Sequence, residues 1–217
     1  MKKTTATRDR IVEQARQLFN AQGYGQVTTA ALAAHLGMAE GNLWYHFKTR
    51  AALMDALAEQ YAAAIEARLT MRPNADPAVG YGLLLQALMA EFRAFRFLYR
   101  DSQAYGEHAA VIRGNAPQWI ERTYRQIEQH LAALVDAELL DWPRERLRDL
   151  SINATIILRY GLEHFRELGE PTGEGSGTVR RTLKRHLTLF EHRLAPAAAS
   201  AIHAVIEQIE ADSALAA

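Results

Sequence analysis

The chain has 217 residues, of which 49% are hydrophobic and 23% are charged, and it carries neither net charge nor cysteine. Such a composition is that of an ordinary globular protein of one or two domains, and it excludes disulfides and thiolate metal sites. Because no apolar run approaches the length of a membrane span, we expect a cytoplasmic protein with neither signal peptide nor membrane anchor.

The neutral total conceals an uneven distribution of charge along the chain. Residues 1–50 contain seven Lys or Arg against three acidic residues, a net charge of +4, so the remainder carries −4. A basic segment joined to an acidic body is suited to binding a polyanion through the segment alone. The asymmetry supports a nucleic-acid partner for the first fifty residues, without establishing one.

Three short helical segments are predicted in this basic region. After a short basic tail, apolar residues at helical spacing predict a first helix from about Thr7 to Asn20. The stretch 27–47, VTTAALAAHLGMAEGNLWYHF, then predicts a helix, a turn and a second helix of about two turns. Thr28 is suited to cap the first of these, and Gly37 to end it in a left-handed conformation.

The second short helix, which starts at Ala39 or Glu40, has two different faces. Leu43 and Phe47 are four residues apart, which predicts that both point inward. The opposite face carries Gly41, Asn42 and Tyr45, with Trp44 and His46 on its flanks. Aromatic rings, an amide and an imidazole on an exposed helix suit base edges and phosphates better than solvent alone. Lys48 and Arg50 follow as candidate phosphate ligands.

The run GNLWYHFKTRAALMDAL, preceded by TTAALAAHLGM, resembles the DNA-binding domain of TetR-family transcriptional regulators over about residues 8 to 60. That resemblance implies phosphate contacts from Thr28, Tyr45, His46 and Lys48. It also implies base-edge contacts from Glu40, Gly41 and Asn42, with Thr29 and Trp44 completing the DNA-binding surface. The partner implied is a double-stranded DNA operator.

Three residues depart from the family's usual pattern. Trp44 stands where Tyr is frequent, so a hydroxyl contact is lost there unless the indole N–H replaces it. Ala39 stands where a capping Ser or Thr is usual, which should cost the second helix about 1 kcal/mol. Ala52 replaces a frequent Glu, so Thr49 has no partner for a capping box.

The rest of the chain is predicted to be entirely helical. Thr49 should cap a long helix from Arg50 to about Leu69, and residues 72–77 form a linker-like break. Further helices are predicted over 78–96, 117–142, 144–168, 179–194 and from 196 onward, with short ones around Gly106 and Gly114. The fold class is therefore all-α, with nine or ten helices.

The predicted domains follow from the linker. Residues 1–50 form a helix-turn-helix domain, a helix over 50–70 connects it onward, and residues 71–217 form an effector-binding and dimerisation domain. Aromatic and polar side chains of this second domain are candidates to line a pocket for an unknown small-molecule effector, although core packing is the alternative. The candidates are Phe92, Phe95, Arg96, Tyr99, Arg100, Tyr105, His108, Trp119, Tyr124 and Tyr160, together with Phe165.

Two helices on either side of the glycine-rich stretch 169–177 are candidates for a homodimer interface. In proteins that resemble the family, this pair of helices forms a four-helix interface with its symmetry mate. The residues concerned are Leu150, Ile157, Leu158, Phe165, Leu183, Leu187 and Phe190. Periodicity alone leaves open whether their faces meet a second copy or pack inside one subunit.

Metal and hydrolase chemistry find no support in the sequence. None of the eight histidines has a Glu three residues before it, and neither HExxH nor GxSxG occurs. We therefore expect no metal, no cofactor and no enzymatic activity. The leading hypothesis is a homodimeric repressor released from a pseudo-palindromic operator by a small-molecule effector. Two alternatives stay open. The chain could be a helical ligand-binding or interaction protein that has lost DNA binding, or a helical enzyme whose N-terminal domain is only structural.

Overall fold

The computed structural model describes residues 2–101, 104–105 and 108–209, with side chains from residue 6 onward. Over these residues the chain forms ten α-helices and no strand, apart from an isolated bridge between Leu140 and Leu194. The helices are α1 Lys2–Gln22, α2 Thr29–His35, α3 Glu40–His46, α4 Arg50–Leu69, α5 Pro77–Ala94, α6 Arg96–Arg100, α7 Ala110–Asp136, α8 Leu147–Glu167, α9 Thr178–Leu187 and α10 Pro196–Gln208. The all-α prediction is confirmed.

Residue contacts divide the chain into two compact units. Unit 1 comprises Met1–Glu66 with Arg93–Pro117, and unit 2 comprises Ala67–Phe92 with Gln118–Ala217. α6 therefore belongs to the same unit as the short helices near the N-terminus, although more than twenty residues of unit 2 intervene in sequence. The functional boundary near residue 71 stays a prediction.

The core of unit 1 is built from the apolar stripes of α1 to α4. Each stripe has the three- and four-residue spacing that places side chains on one face of a helix. The side chains concerned are all buried: Ile11, Ala15, Leu18, Phe19, Leu32, Leu36, Leu43, Phe47, Leu53 and Leu57. Their burial is the main driving force for the fold of this unit.

α8 and α9 pack against each other more extensively than any other pair of helices in the described chain. They form part of the core of unit 2 together with α5 and α7. Their facing side chains are buried, among them Leu150, Leu158, Phe165, Leu183, Leu187 and Phe190. Within the described ranges, no helix combines the length and apolar character that a membrane crossing requires.

The structure corrects one break predicted from glycine and proline. Gly114 was expected to interrupt the helices and Pro117 to start a new one, yet both lie inside α7. An internal proline costs a helix about 3 kcal/mol and a glycine about 1 kcal/mol. Burial of Ile127, Leu131 and Leu134 farther along the same helix offsets that cost.

Several predicted helix ends also differ from the observed ones. α1 begins at Lys2 rather than near Thr7, and α7 ends at Asp136, well before Trp142. α8 and α9 are shorter than predicted because short 3-10 helices occupy 144–146 and 191–193. Gly106 lies outside the described residues.

Candidate nucleic-acid interface

The turn between α2 and α3 is set by local hydrogen bonds. Thr28 caps α2 as predicted, because its hydroxyl accepts a hydrogen bond from the Ala31 N–H at 3.1 Å. At the other end, Gly37 has a φ of +65°, and the Met38 N–H donates to the Ala33 carbonyl at 3.0 Å. This bond pattern is a Schellman motif, which stops α2 and redirects the chain into α3.

α3 presents one face to the core and the other to solvent. Leu43 and Phe47 are buried, which confirms that this face points inward. Glu40, Gly41 and Asn42 are exposed, and Tyr45 leaves 68% of its surface accessible. A tyrosine this exposed on a two-turn helix buries little apolar area in the subunit, so its ring is free to contact a partner.

Aromatic rings and cations cluster at the C-terminal end of α3. The Tyr45 and His46 rings meet edge to face with their centroids 5.3 Å apart, and Lys48 Nζ lies 5.9 Å from the Tyr45 centroid. His46 is half-buried, whereas Lys48 is exposed. An ammonium group so placed keeps its donors available for a phosphate oxygen.

Arg8 is a candidate that the sequence did not reveal. Its guanidinium carbon lies 4.7 Å from the centroid of the Phe47 ring, and the residue is exposed. The stacking holds this cation of α1 close to the C-terminal end of α3. No local spacing relates residues so far apart in sequence, so only the packing of α1 on α3 could identify the pair.

Arg50 was expected to contact a phosphate, and the structure gives it another environment. Its guanidinium donates hydrogen bonds to the Tyr24 and Val27 carbonyls. It also stacks over the Tyr24 ring at 4.2 Å. These contacts direct the group into unit 1 and away from the exposed face of α3.

Trp44 is half-buried rather than fully exposed. Its indole lines a cavity of about 10 Å³ beside α2 and α4, too small for anything beyond a single water. The lining residues are Phe19, Thr29, Leu32, Leu43, Trp44, Phe47, Arg50 and Leu53. Trp44 and Thr29 therefore contribute to packing as well as to the rim of the candidate interface.

The predicted effector residues are divided between the two units. Phe95, Arg96, Tyr99, Arg100, Tyr105 and His108 belong to unit 1, whereas Phe92, Trp119, Tyr124, Tyr160 and Phe165 belong to unit 2. In unit 1 the Tyr99 and Tyr61 hydroxyls lie 2.5 Å apart, and the Tyr105 hydroxyl donates to the Leu98 carbonyl. These polar atoms already have protein partners, and the effector pocket stays a prediction.

Unit 2 contains a buried polar cluster that sequence reasoning missed. Arg68 Nε lies 2.7 Å from a carboxylate oxygen of Glu91, and both side chains are buried. The other guanidinium nitrogens of Arg68 donate to Gln126 at 2.6 Å and to Thr123 at 3.0 Å. The cluster ties the end of α4 to α5 and α7, and a buried charge is tolerated there because it is fully paired.

The residues predicted to form a dimer interface lie mostly inside the subunit. Leu150, Leu158, Phe165, Leu183, Leu187 and Phe190 are buried, and only Ile157 of that set is partly accessible. Burial within one copy places these side chains in the core of unit 2, and the residues that meet a second copy stay a prediction. Another stripe of α8 is accessible instead: Ile152 is half-buried, and Ile156 and Tyr160 are 50% and 53% exposed.

Among the described residues, no group of three or more His, Asp and Glu side chains is arranged to hold a metal ion.

Two family models match the chain. Residues 11–57 match the model described as bacterial regulatory proteins of the tetR family, and residues 60–202 match TetR, described as a bacterial transcriptional repressor. Together these matches include α2, α3 and the two core helices of unit 2.

Curated relatives are similar in sequence to this chain over part of their length. The class C tetracycline repressor protein of Escherichia coli is 33% identical over 111 residues, which is 51% of this chain and 48% of that protein. The class H protein of Photobacterium damsela subsp. piscicida is 29% identical over 131 residues, 59% of this chain and 54% of that protein. The chain thus matches about half the length of these relatives.

Solved structures show the same fold over nearly the whole chain. A TetR-family transcriptional regulator from Marinobacter aquaeolei VT8 has a TM-score of 0.76 at 22% identity, covering 94% of this chain and 98% of that one. A TetR family regulator from Thermus thermophilus has a TM-score of 0.60 at 19% identity, covering 84% of this chain and 97% of that one.

Proposed function

The chain belongs to the TetR family of bacterial transcriptional regulators, and we propose that it is a homodimeric repressor that binds a double-stranded DNA operator. The observation that carries this proposal is the division of α3 into a buried face of Leu43 and Phe47 and an exposed face that carries Tyr45. A short helix anchored on one side and open on the other is able to enter a major groove.

The roles of the exposed side chains follow from their chemistry. Glu40, Gly41 and Asn42, in the first turn of α3, reach base edges, and the Asn42 amide is suited to the paired donor and acceptor of adenine. Phosphate contacts come from Thr28, Tyr45, His46 and Lys48, with Arg8 added by its position over Phe47. Thr29 and Trp44 shape the rim of this surface.

A second copy of the chain is needed to read a pseudo-palindromic operator. The accessible stripe of Ile152, Ile156 and Tyr160 supports an interface on α8, because large apolar side chains at four-residue spacing otherwise face water. The two α3 helices would then enter major grooves about 34 to 36 Å apart, or a multiple of that distance.

The effector is proposed to be a small molecule bound by the C-terminal domain, in the cytoplasm. A coupling free energy of about 1 to 3 kcal/mol between effector and operator would weaken DNA binding about 5- to 150-fold. The protein is proposed to have no enzymatic activity, and its regulation to depend on binding equilibria alone.

The deciding experiment is selection of duplexes from a random library by the purified protein, followed by footprinting on DNA that flanks its own gene. We expect an operator with two half-sites and an affinity that falls steeply with salt, because phosphate contacts release counterions. Purified protein that selects no duplex, and instead turns over small molecules, would favour the helical-enzyme alternative. Selection of no duplex together with ligand binding would favour an interaction protein.

A further inference from the structure

The end of α1 is completed by side chains of α6. α1 has no basic residue in its last turn, so its final carbonyls lack a cation of their own. Arg96 donates to the Asn20 carbonyl at 2.8 and 3.0 Å, and Arg100 donates to the Phe19 carbonyl at 2.7 Å. The Asn20 side chain in turn donates to the carbonyl of Ala94, the last residue of α5, at 2.7 Å.

Tyr24, two residues after the end of α1, is held by the carboxylate of Asp101, the residue that follows α6. The Tyr24 N–H donates to Asp101 Oδ2 at 2.8 Å, and Arg100 Nε lies 2.9 Å from Asp101 Oδ1. Gly23, which lies between the end of α1 and Tyr24, has a φ of +97°, a conformation that residues with a Cβ rarely adopt. A tight corner over residues 20–27 therefore joins α1 to α2.

Arg50 holds the same corner from α4. Its guanidinium donates to the Tyr24 and Val27 carbonyls and stacks on the Tyr24 ring. Val27 immediately precedes Thr28, the residue that caps α2, and α2 leads through the Gly37 turn into α3. Only Thr28 separates this corner from α2, and α2 leads directly into α3. Contacts from the α6 segment and from α4 that fix the corner therefore also help to fix the orientation of α3.

We propose that Arg50 and Asp101 are positioning residues for DNA binding, which orient α2 and α3 through the corner 20–27 rather than by touching DNA. α6 is then an integral part of the DNA-binding unit. This inference rests on the proposed function and deepens it, because it assigns the orientation of that surface to particular contacts.

A charge-conserving substitution distinguishes a positioning role of Arg50 from a role as phosphate ligand. Lysine keeps the charge but lacks the planar fork that holds two carbonyls and stacks on a ring. Arg50→Lys should therefore weaken binding to the duplex selected by the unmodified protein about tenfold or more, with an unchanged slope against salt. The matched control is Arg125→Lys, the same exchange at an exposed arginine of α7 in unit 2, which should retain nearly full affinity.

For a substitution of Asp101, the proposed positioning role predicts weaker DNA binding, whereas the change in charge alone predicts stronger binding. Removal of a negative charge from a DNA-binding unit should strengthen binding to a polyanion. Asp101→Ala should instead weaken binding to the selected duplex about tenfold, while affinity for an unrelated duplex is kept. The matched control is Asp55→Ala, which removes an exposed acid of α4 in the same unit and should bind as well as the unmodified protein or better.

Hydrogen exchange gives a readout that does not depend on DNA. In Asp101→Ala, or in the milder Asp101→Asn if the alanine variant fails to fold, amides of residues 20–28 should exchange faster while those of α8 and α9 are unchanged. Full operator affinity in Asp101→Ala with accelerated exchange, or near-normal affinity in Arg50→Lys, would overturn the inference and leave the proposed function intact. An unmodified protein that selects no duplex would overturn both.

Discussion

The Tyr81 hydroxyl lies 2.6 Å from Nε2 of His186 in the core of unit 2, and both side chains are fully buried. Burial raises the pKa of the Tyr81 phenol and lowers the pKa of the His186 imidazole to about 3. Both groups are therefore neutral, and the imidazole tautomer sets which of the two donates the hydrogen bond. Within the described residues Nδ1 of His186 has no hydrogen-bond partner.

This pair predicts a loss of stability in acid. The unfolded chain takes up a proton at His186 near pH 6.5, whereas the folded chain takes none until about pH 3. The contribution is fully present above pH 6.5 and falls by about 1.4 kcal/mol per pH unit below it. Chemical denaturation between pH 7 and pH 5 should show this slope, and Tyr81→Phe with His186→Phe should reduce it. An identical slope in the double variant would contradict the assignment.

The buried ion pair of Arg68 and Glu91 predicts a large cost for losing one partner. Glu91→Ala leaves the Arg68 guanidinium buried with its charge uncompensated, which should lower the free energy of unfolding by about 3 to 5 kcal/mol. Arg68→Met combined with Glu91→Leu should lose less, because both charges are removed. Denaturant titration measures both, and Glu207→Ala at an exposed pair with Lys184 should change little.

Lys48 and Asn42 should fail in different ways. Lys48→Ala should weaken binding to all duplexes alike and reduce the slope of log affinity against log salt by about one unit. Asn42→Ala should instead blur the preference for particular bases with the slope unchanged. Equal behaviour of the two variants in a salt titration against several duplexes would mean that these roles are wrongly divided.

Arg8 should behave as a phosphate ligand. Arg8→Ala should weaken selected and unrelated duplexes by the same factor and flatten the salt slope by about one unit. Arg125→Ala, which removes an exposed cation of unit 2, is the control and should leave the slope unchanged. An unchanged salt slope in Arg8→Ala would mean that Arg8 packs on Phe47 without contacting a phosphate.

The accessible stripe of α8 predicts the dimer interface. Ile156→Asp places a carboxylate where two copies would meet, so sedimentation should show a monomer at concentrations where the unmodified protein is dimeric. Leu83→Asp is the control, because Leu83 is also exposed but lies on α5. A dimer that persists in Ile156→Asp would exclude this face.

Features governed by residues a few positions apart were predictable from the sequence. The Thr28 cap, the Gly37 turn and the inward pair of Leu43 and Phe47 depend on hydrogen bonds and spacings within about one helical turn. Such patterns recur wherever a helix begins, ends or packs on one side. The all-α fold and the candidate DNA-binding face could therefore be predicted from the residues.

Contacts between residues distant in sequence were decided by the tertiary structure. Tyr81 and His186 are 105 residues apart, and Arg100 and Phe19 are 81 apart, and no periodicity relates such pairs. Burial also decided which apolar stripe of α8 faces the core, and it outweighed the breaking tendency of Pro117 in α7. Local pattern identifies the helices, but the free energy of packing them together selects their partners, because burial depends on all the elements at once.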